Sequence, residues 1–401
     1  SLNGMGEDGY TTRSLLSITN TLNYIKSFGD HHLNIMLGQE GQQTNIKASY
    51  LAGSNYPVEY LNEVTLASVP GSASTAHYKL ILGSWFSNVQ YDYANKYYLS
   101  ASFRTDGSSR FGANNRWASF WSVGGKYRIT EEKFMQPAKN WLSDLTIRAS
   151  YGTTGNQDVG DHTDADYLSW IVARDVFGFG YNYNNTPGSA HEQFGNPDLK
   201  WEKTAKFNVG IDALLFDRIN LTLDYYNHKT TDMVFAVPVS YLTGLSSYYK
   251  NIGELSNEGF EFSLGANIIR NKDWNWQLTL TGSTNKNKVV KLSTDQPIEG
   301  TYDIIEVGRP LYTFKMKEFA GVDPQTGDAL WYKGTEGTET TNNYNEAGKR
   351  YVGDANPDFF GSIQNTLRWK GLDFSFQFNY SLGGKIYGNN LRYDENNGSS
   401  F

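Results

Sequence analysis

The sequence predicts an all-β protein, an antiparallel transmembrane β-barrel wall of about twelve strands with short turns at one rim and long loops at the other. Three observations predict it. Segments of about ten residues alternate in polarity along the whole chain, close to the ~9–11 residues that a tilted membrane strand needs. Short tight connections alternate with long polar ones, the asymmetry that a membrane with two different sides imposes. Aromatic residues are 15% of the 401 residues, yet hydrophobic residues are only 39%, which suits strands with one face to lipid and one to water.

Taken in order, the first strand is Ser14 to Ile25, with Leu16, Ile18, Leu22 and Tyr24 opposite Ser17, Thr19, Thr21 and Asn23. A turn at Phe28-Gly29-Asp30 leads to His32 to Gln42, followed by an expected long loop from Gln43 to Gly83. Ser84 to Tyr93 and Lys96 to Arg104 join at Ala94-Asn95, and Tyr97, Leu99, Ala101 and Phe103 oppose Tyr98, Ser100, Ser102 and Arg104. Trp117 to Ile129 and Leu142 to Gly152 come next, joined through Pro137. The connection from Thr153 to Lys203 is too long for a compact domain. Thr204 to Phe216 and Ile219 to His228 then turn at Asp217-Arg218, and Glu258 to Ile268 and Trp274 to Asn285 pair across Arg270 to Asp273. A third long excursion, Lys286 to Asp358, precedes Phe360 to Trp369 and Leu372 to Leu382, joined at Lys370-Gly371.

Charged side chains fall on the less apolar face of these strands: Arg104, Arg148, Lys206, Asp212, Asp224, Glu261, Arg368 and Asp373. Arg104, Arg148, Lys206, Asp212 and Glu261 are therefore assigned to the lumen, because Arg or Lys at mid-depth on the lipid side costs ~2–4 kcal/mol each. Trp117, Trp121, Trp141, Trp201, Tyr225, Tyr226, Trp274, Trp276 and Trp369 gather near strand ends, where an interfacial girdle belongs. A soluble β-sandwich also alternates in polarity, but strand length and one-sided loop lengths favour the barrel.

The net charge of −7, without a dense Lys/Arg run, argues against a nucleic-acid partner. With no cysteine there is no disulfide and no thiolate chemistry. No Gly-x-Ser-x-Gly elbow, zinc-type His pair or P-loop is present, so neither enzymatic activity nor a cofactor is expected. Asp158, Asp161, Asp164 and Asp166 make a weak Ca²⁺ candidate without the glycine-bearing loop pattern, and no metal is assigned. The stronger signal is aromatic. Tyr167, Trp170, Phe177, Phe179, Tyr181 and Tyr183 crowd one long loop, and Tyr241, Tyr248 and Tyr249 the next. Such rings stack on sugars, take up peptide side chains or pack loops and partners together.

Several segments resemble one family. They are Asp106-Gly107-Ser108-Ser109-Arg110-Phe111-Gly112 with Asn114-Asn115-Arg116-Trp117 and Phe120-Trp121-Ser122-Val123-Gly124, then Ile129 to Met135, Ile147 to Gln157, Gly195-Asn196-Pro197-Asp198-Leu199-Lys200-Trp201-Glu202, and Leu223 to Asn227. Their ordered series resembles the SusC/RagA-type TonB-dependent outer-membrane transporters, essentially from end to end. The resemblance implies that residues 1–401 are part of a barrel of about 22 strands closed by a plug, with the plug and the TonB-contacting box preceding Ser1 and further strands following Phe401. It also implies active import of oligosaccharides or peptides across the bacterial outer membrane, with a SusD-like surface lipoprotein and the TonB complex as partners. A passive porin-like barrel, or an outer-membrane adhesin or enzyme, is the alternative. Strand pairing between Ser14 to Ile25 and Leu372 to Leu382 separates the first alternative: closure would make a self-contained pore. Asp323 to Asp328, where many relatives carry a Ca²⁺-loop-like stretch, reads as a plain turn.

Overall fold

The computed structural model describes residues 4–57, 63–159, 170–184, 186–245, 247–292 and 296–389. Twelve long strands form one continuous sheet: β1 (Met5–Phe28), β2 (His31–Ser54), β3 (Val69–Tyr93), β4 (Tyr97–Ser108), β5 (Trp117–Arg128), β6 (Leu142–Asn156), β7 (Glu202–Leu215), β8 (Ile219–Pro238), β9 (Ser247–Arg270), β10 (Trp274–Ser283), β11 (Phe359–Trp369) and β12 (Leu372–Leu382). Their spatial order is their chain order and every pairing is antiparallel, as short hairpins require. A thirteenth strand, Lys286–Lys291, continues β10 along β9 after a break at Thr284-Asn285. The sheet is not closed among the described residues: β1 pairs with β2, β12 pairs with β11, and these two are its edges.

The tight turns follow from backbone chemistry. Ala94 and Asn95 both take positive φ, as do Phe216 and Asp217, and Lys96 N–H and Arg218 N–H close the turns onto Tyr93 and Leu215 carbonyls at 3.0 Å. Paired left-handed residues match the twist of the flanking strands. The second turn sits one residue earlier than the expected Asp217-Arg218.

Larger departures lie at the opposite rim. The expected loop Gln43 to Gly83 is mostly strand: β2 and β3 stay paired up to Ser54 and Val69. At ~3.3 Å per residue the 24 residues of β1 run about 80 Å, far beyond the ~25 Å apolar band. Outside lipid both faces are wet, so the oily alternation that marks a membrane strand lapses while hydrogen bonding continues. The loop after His228 is likewise short, because β8 and β9 continue paired to Pro238 and Ser247. The two remaining long connections carry structure of their own. Val176–Phe179 pairs with Ser189–Gln193. The excursion holds a four-stranded sheet (Ile298–Glu299, Asp303–Ile305, Thr313–Lys317, Lys349–Asp354) and a three-stranded one (Phe319–Val322, Ala329–Tyr332, Thr340–Thr341). Asp323 to Asp328 is the expected turn, closed by Gly327 N–H on the Asp323 carbonyl.

The two faces of the sheet differ as predicted. Leu99, Phe103, Ile147, Ile211, Leu223, Phe374 and Phe378 stand exposed on one side, which in a water-soluble protein would be a large unburied apolar patch and here is a lipid face. At the short-turn rim this face carries a ladder that the sequence reading missed. Phe28, His31, Tyr93, Tyr97 and Tyr127 come from five successive strands through direct register pairs, with centroid distances of 4.9, 4.7, 6.4 and 5.0 Å. Trp274 and Trp369 stack further along the same rim at 5.4 Å. Two expected girdle members are elsewhere. Trp201 is buried at the far rim, and Tyr226 lies on the polar face, where its hydroxyl donates to the Thr284 carbonyl at 3.1 Å.

Glu132, in the turn between β5 and β6, ties that ladder to the connection. It accepts hydrogen bonds from the Tyr97 hydroxyl at 2.7 Å and the Tyr127 hydroxyl at 3.2 Å, with Lys96 at 3.4 Å. The Tyr97 hydroxyl, ahead of Lys96 and Tyr127, holds its carboxyl below the ordinary 4.5 against a smaller opposing effect of desolvation. A lowered folded pKa means the contact is fully formed above 4.5 and lost as pH falls through the folded value. Glu132→Gln is expected to speed hydrogen exchange in 129–138 at pH 7, and the difference from wild type should shrink below pH 4.5 and vanish once the pH is under the lowered folded value. On the wall, Val123→Arg, midway between Tyr127 and Trp117 on the apolar face, should destabilise folding in bilayers by ~2–4 kcal/mol, while Ser122→Arg, on the polar face, should cost less, measured by denaturant titration in liposomes.

Candidate functional site

The polar face is organised by register. Lys126, Arg148, Gly210, Asp224, Glu261 and Ser283 are consecutive partners across β5 to β10 and so form one row. Arg148 donates through Nε to Asp212 Oδ2 at 3.0 Å and through Nη2 to Asp224 Oδ2 at 2.7 Å. Gly210 makes this reach possible: a Cβ there would collide with the Asp224 carboxylate and the Arg148 guanidinium. Thr222 Oγ1 donates to the other Asp212 oxygen at 3.0 Å. A second cluster lies on β2 to β4, where Arg104 binds Asp106 at 2.6 Å, Glu40 at 3.3 Å and Ser84 at 2.9 Å, and lies 5.3 Å from the Phe86 ring centre. Both arginines are more than one-third exposed, so each pair contributes ~0–1 kcal/mol. These clusters fix charge in place more than they stabilise the wall. Lys206 and Glu261 share the face and make no ion pair among the described residues; Glu261 accepts only from Ser283, at 3.4 Å.

Above the wall, the resemblance segments around Phe111, Gln157 and Leu199 meet. Phe111, Phe120, Val159, Val172, Leu199 and Trp201 form a buried cluster, an apolar core in a molecule whose wall has almost none. Gly112 N–H donates to the Leu199 carbonyl at 2.9 Å and Asn114 N–H to the Pro197 carbonyl at 3.1 Å. Asn114 Nδ2 reaches Asp198 Oδ1 at 2.8 Å, and Trp201 Nε1 the Arg116 carbonyl at 2.9 Å. A Cβ on Gly112 would overlap the Pro197 carbonyl, so only glycine allows this approach. Asn196 Nδ2 extends the clasp to the Tyr249 carbonyl and Lys200 N–H to Asn251 Oδ1, both at 2.9 Å, so the connections after β4 and β6 and the outer end of β9 become one body.

Two of the expected vestibule residues are placed by this clasp. Trp170 lies 5.7 Å from the buried Arg110 guanidinium, and Tyr249 packs on the buried cluster; both hold loops together. Arg110 Nη1 binds Asp158 Oδ1 at 2.9 Å, so the described member of the candidate Ca²⁺ group is an ion-pair partner. Burial pushes the Arg110 guanidinium pKa down, and Asp158 partly offsets it. Asp161, Asp164, Asp166 and Tyr167 lie outside the described residues, as does the side chain of Tyr241. Phe177, against His191 at 4.1 Å, and Tyr181 are half-open on the loop hairpin, and Tyr248 is half-buried. Phe179 and Tyr183, 84% and 87% exposed, are the open rings of that hairpin. The motif residues were legible in the sequence as a series; that the stretches around Phe111, Gln157 and Leu199 converge was not.

Phe111→Ala should cost ~3–5 kcal/mol of local stability. It is expected to open 109–116 and 170–201 together to limited proteolysis of the folded full-length protein, whereas Phe179→Ala should leave both protected.

Residues 3–399 match the family model described as TonB dependent receptor-like, beta-barrel. The chain is 32% identical to TonB-dependent receptor P3 of Formosa agariphila over 96% of this chain and 41% of that protein. It is 31% identical to TonB-dependent receptor SusC of Bacteroides thetaiotaomicron, over 93% of this chain and 38% of that one. Among solved structures, the RagAB peptide transporter superposes with a TM-score of 0.83 at 30% identity, covering 94% of this chain and 42% of the other. The chain thus spans about two-fifths of the length of these relatives, which are receptors and transporters rather than enzymes. With a family match from residue 3 to residue 399 and an antiparallel wall oily on one face and charged on the other, the chain belongs to the β-barrel of the TonB-dependent receptors of the outer membrane, in its SusC- and RagA-like branch.

Proposed function

We propose that this chain is part of the wall and mouth of an energised importer that carries oligosaccharides or peptides across the outer membrane. A SusD-like surface lipoprotein delivers the cargo, and TonB acts through a plug. The observation that carries the reading is the division of one continuous sheet into an exposed apolar face and a polar face with fixed charge clusters. Such a wall needs lipid on one side and water on the other. On this reading Arg104, Arg148, Lys206, Asp212 and Glu261 face the lumen. Phe179 and Tyr183, with Phe177 and Tyr181 behind them, meet cargo or the lipoprotein, while Trp170 and Tyr249 hold the loops.

The open edges favour an importer over a self-contained passive pore. β1 and β12 are not paired with each other, and unpaired N–H and C=O groups within hydrocarbon cost several kcal/mol each. Further strands complete the barrel on this reading, which agrees with relatives more than twice as long.

The test is uptake by cells producing the full-length protein. Labelled oligosaccharide or peptide should enter only when TonB is present, and entry unchanged by loss of TonB would instead make this a passive channel. Phe179→Ala combined with Tyr183→Ala should weaken capture of cargo or lipoprotein by about thirtyfold if each ring contributes ~1 kcal/mol. Pull-down of the lipoprotein and equilibrium binding of the cargo separate the two roles.

A further inference from the structure

We propose that β2 and β3, just beyond the apolar band on the lipid side of the wall, hold the phosphorylated headgroup of an outer-leaflet lipid on Lys47, Lys79 and His77. Such a site is independent of what the protein imports, because it lies on the apolar side of the sheet. Register fixes which residues share that side. His31 and Ile35 of β2 pair with Tyr93 and Val89 of β3, and the pairing runs without a shift to Lys47 with His77. With period two, Trp85, Ile81, Lys79 and His77 therefore point the same way as Tyr93 of the short-turn ladder. Trp121 lies level with Ser87 and Trp117 with Gly83, so Trp85, Trp117 and Trp121, all exposed, form a tryptophan band across β3 to β5. Ile81 is the next exposed apolar side chain beyond it on β3. From Tyr93 to Ile81 is twelve residues. That is ~40 Å along the strand and ~30 Å along the normal of a wall tilted by ~40°, enough for the ~25 Å apolar band and its aromatic borders.

There the face changes. Lys79 stands two residues beyond Ile81, opposite Asn45, and His77 two further, opposite Lys47. All three basic side chains are exposed, and none makes an ion pair or side-chain hydrogen bond with another described residue. Their register neighbours on this face are Thr12, Ser14, Asn45, Ser49 and Thr75, hydrogen-bonding groups without a carboxylate. The first acidic residue on this face of β1 is Asp8, four residues farther out than Thr12 and opposite Leu51. Ammonium groups beside hydroxyl and amide donors suit the oxygens of a phosphate. The pairing of β3 with β4 ends at Leu82 with Ser108, so no described strand covers Lys79 and His77 on that side.

Position decides the occupant. The rows between the short-turn ladder and Ile81 lie against acyl chains, so the next group this face meets is the headgroup of those same lipids. A lysine stem lies along apolar surface while its ammonium reaches the polar zone, which suits Lys79 beside Ile81. A soluble anion brings only its charge, whereas a lipid held by its chains presents its phosphate to the patch at high effective concentration. A protein partner would have to share this face with the bilayer.

The experiment titrates the full-length protein with monophosphoryl lipid A and with the same lipid after removal of its phosphate. Native mass spectrometry reads the fraction of protein that carries one lipid. Wild type is expected to bind the phosphorylated form about thirtyfold tighter, two lysines at ~1 kcal/mol each. Lys47→Ala and Lys79→Ala should each weaken binding of the phosphorylated lipid about fivefold and leave the dephosphorylated lipid unchanged. Lys47→Arg and Lys79→Arg, which keep the charge, should bind as wild type does. Equal wild-type affinity for the two lipids overturns the site. A phosphate preference that both alanine variants retain in full also overturns it, because the phosphate then sits elsewhere on the protein. Inorganic phosphate that displaces the lipid at equal concentration overturns it as well, since the acyl chains would then contribute nothing. If the alanine variants lose lipoprotein in a pull-down while lipid binding stays intact, the patch is a protein interface and the lipid site falls.

Discussion

A backbone inside hydrocarbon has no water to bond, so each N–H and C=O of the wall must find its partner on the neighbouring strand. That constraint organises everything else in this molecule. It makes the strands neighbours in chain order, joins them by tight left-handed turns on one side, and leaves side chains free to obey two different solvents on the two faces. It also explains why the wall has almost no buried core: a sheet one layer thick buries its backbone, not its side chains. Stability comes from the ladder, and the side chains are released for adhesion to lipid and for work on the polar face.

The polar face shows what that freedom allows. Arg148, Asp212 and Asp224 meet because register places them around a glycine, and their half-exposed ion pairs stabilise little. Such charges persist as a fixed electrostatic pattern in the wall. Rigidity of the ladder gives these groups defined positions, which loops alone would not.

Beyond the membrane the rule changes. With water available, the long connections need a core of their own, and the chain supplies it from three distant stretches: Phe111 after β4, Val159 and Val172 after β6, and Leu199 with Trp201 before β7. Once Gly112 lies against the Pro197 carbonyl and Asn114 on Asp198, the loops are a single body. The open rings Phe179 and Tyr183 sit on a hairpin beside it, which separates buried residues that hold the loops from rings left exposed.

The sequence by itself determined the wall. Period-two alternation in Tyr97 to Arg104, Leu142 to Gly152 and Leu372 to Leu382 assigns faces, because a strand's geometry is local and a membrane rewards it residue by residue. It also put Arg148 and Asp212 on the polar face of the sheet, where register unites them. Where water lay on both sides the signal faded, so the upper halves of β2 and β3 read as loop although they are paired throughout. Only the tertiary structure decided which aromatics are girdle and which are core. Trp201 and Trp274 look alike in the sequence, yet one is buried against Phe111 and the other stacks on Trp369 at the opposite rim. The difference rests on contacts between residues far apart in the chain, and no local period encodes those.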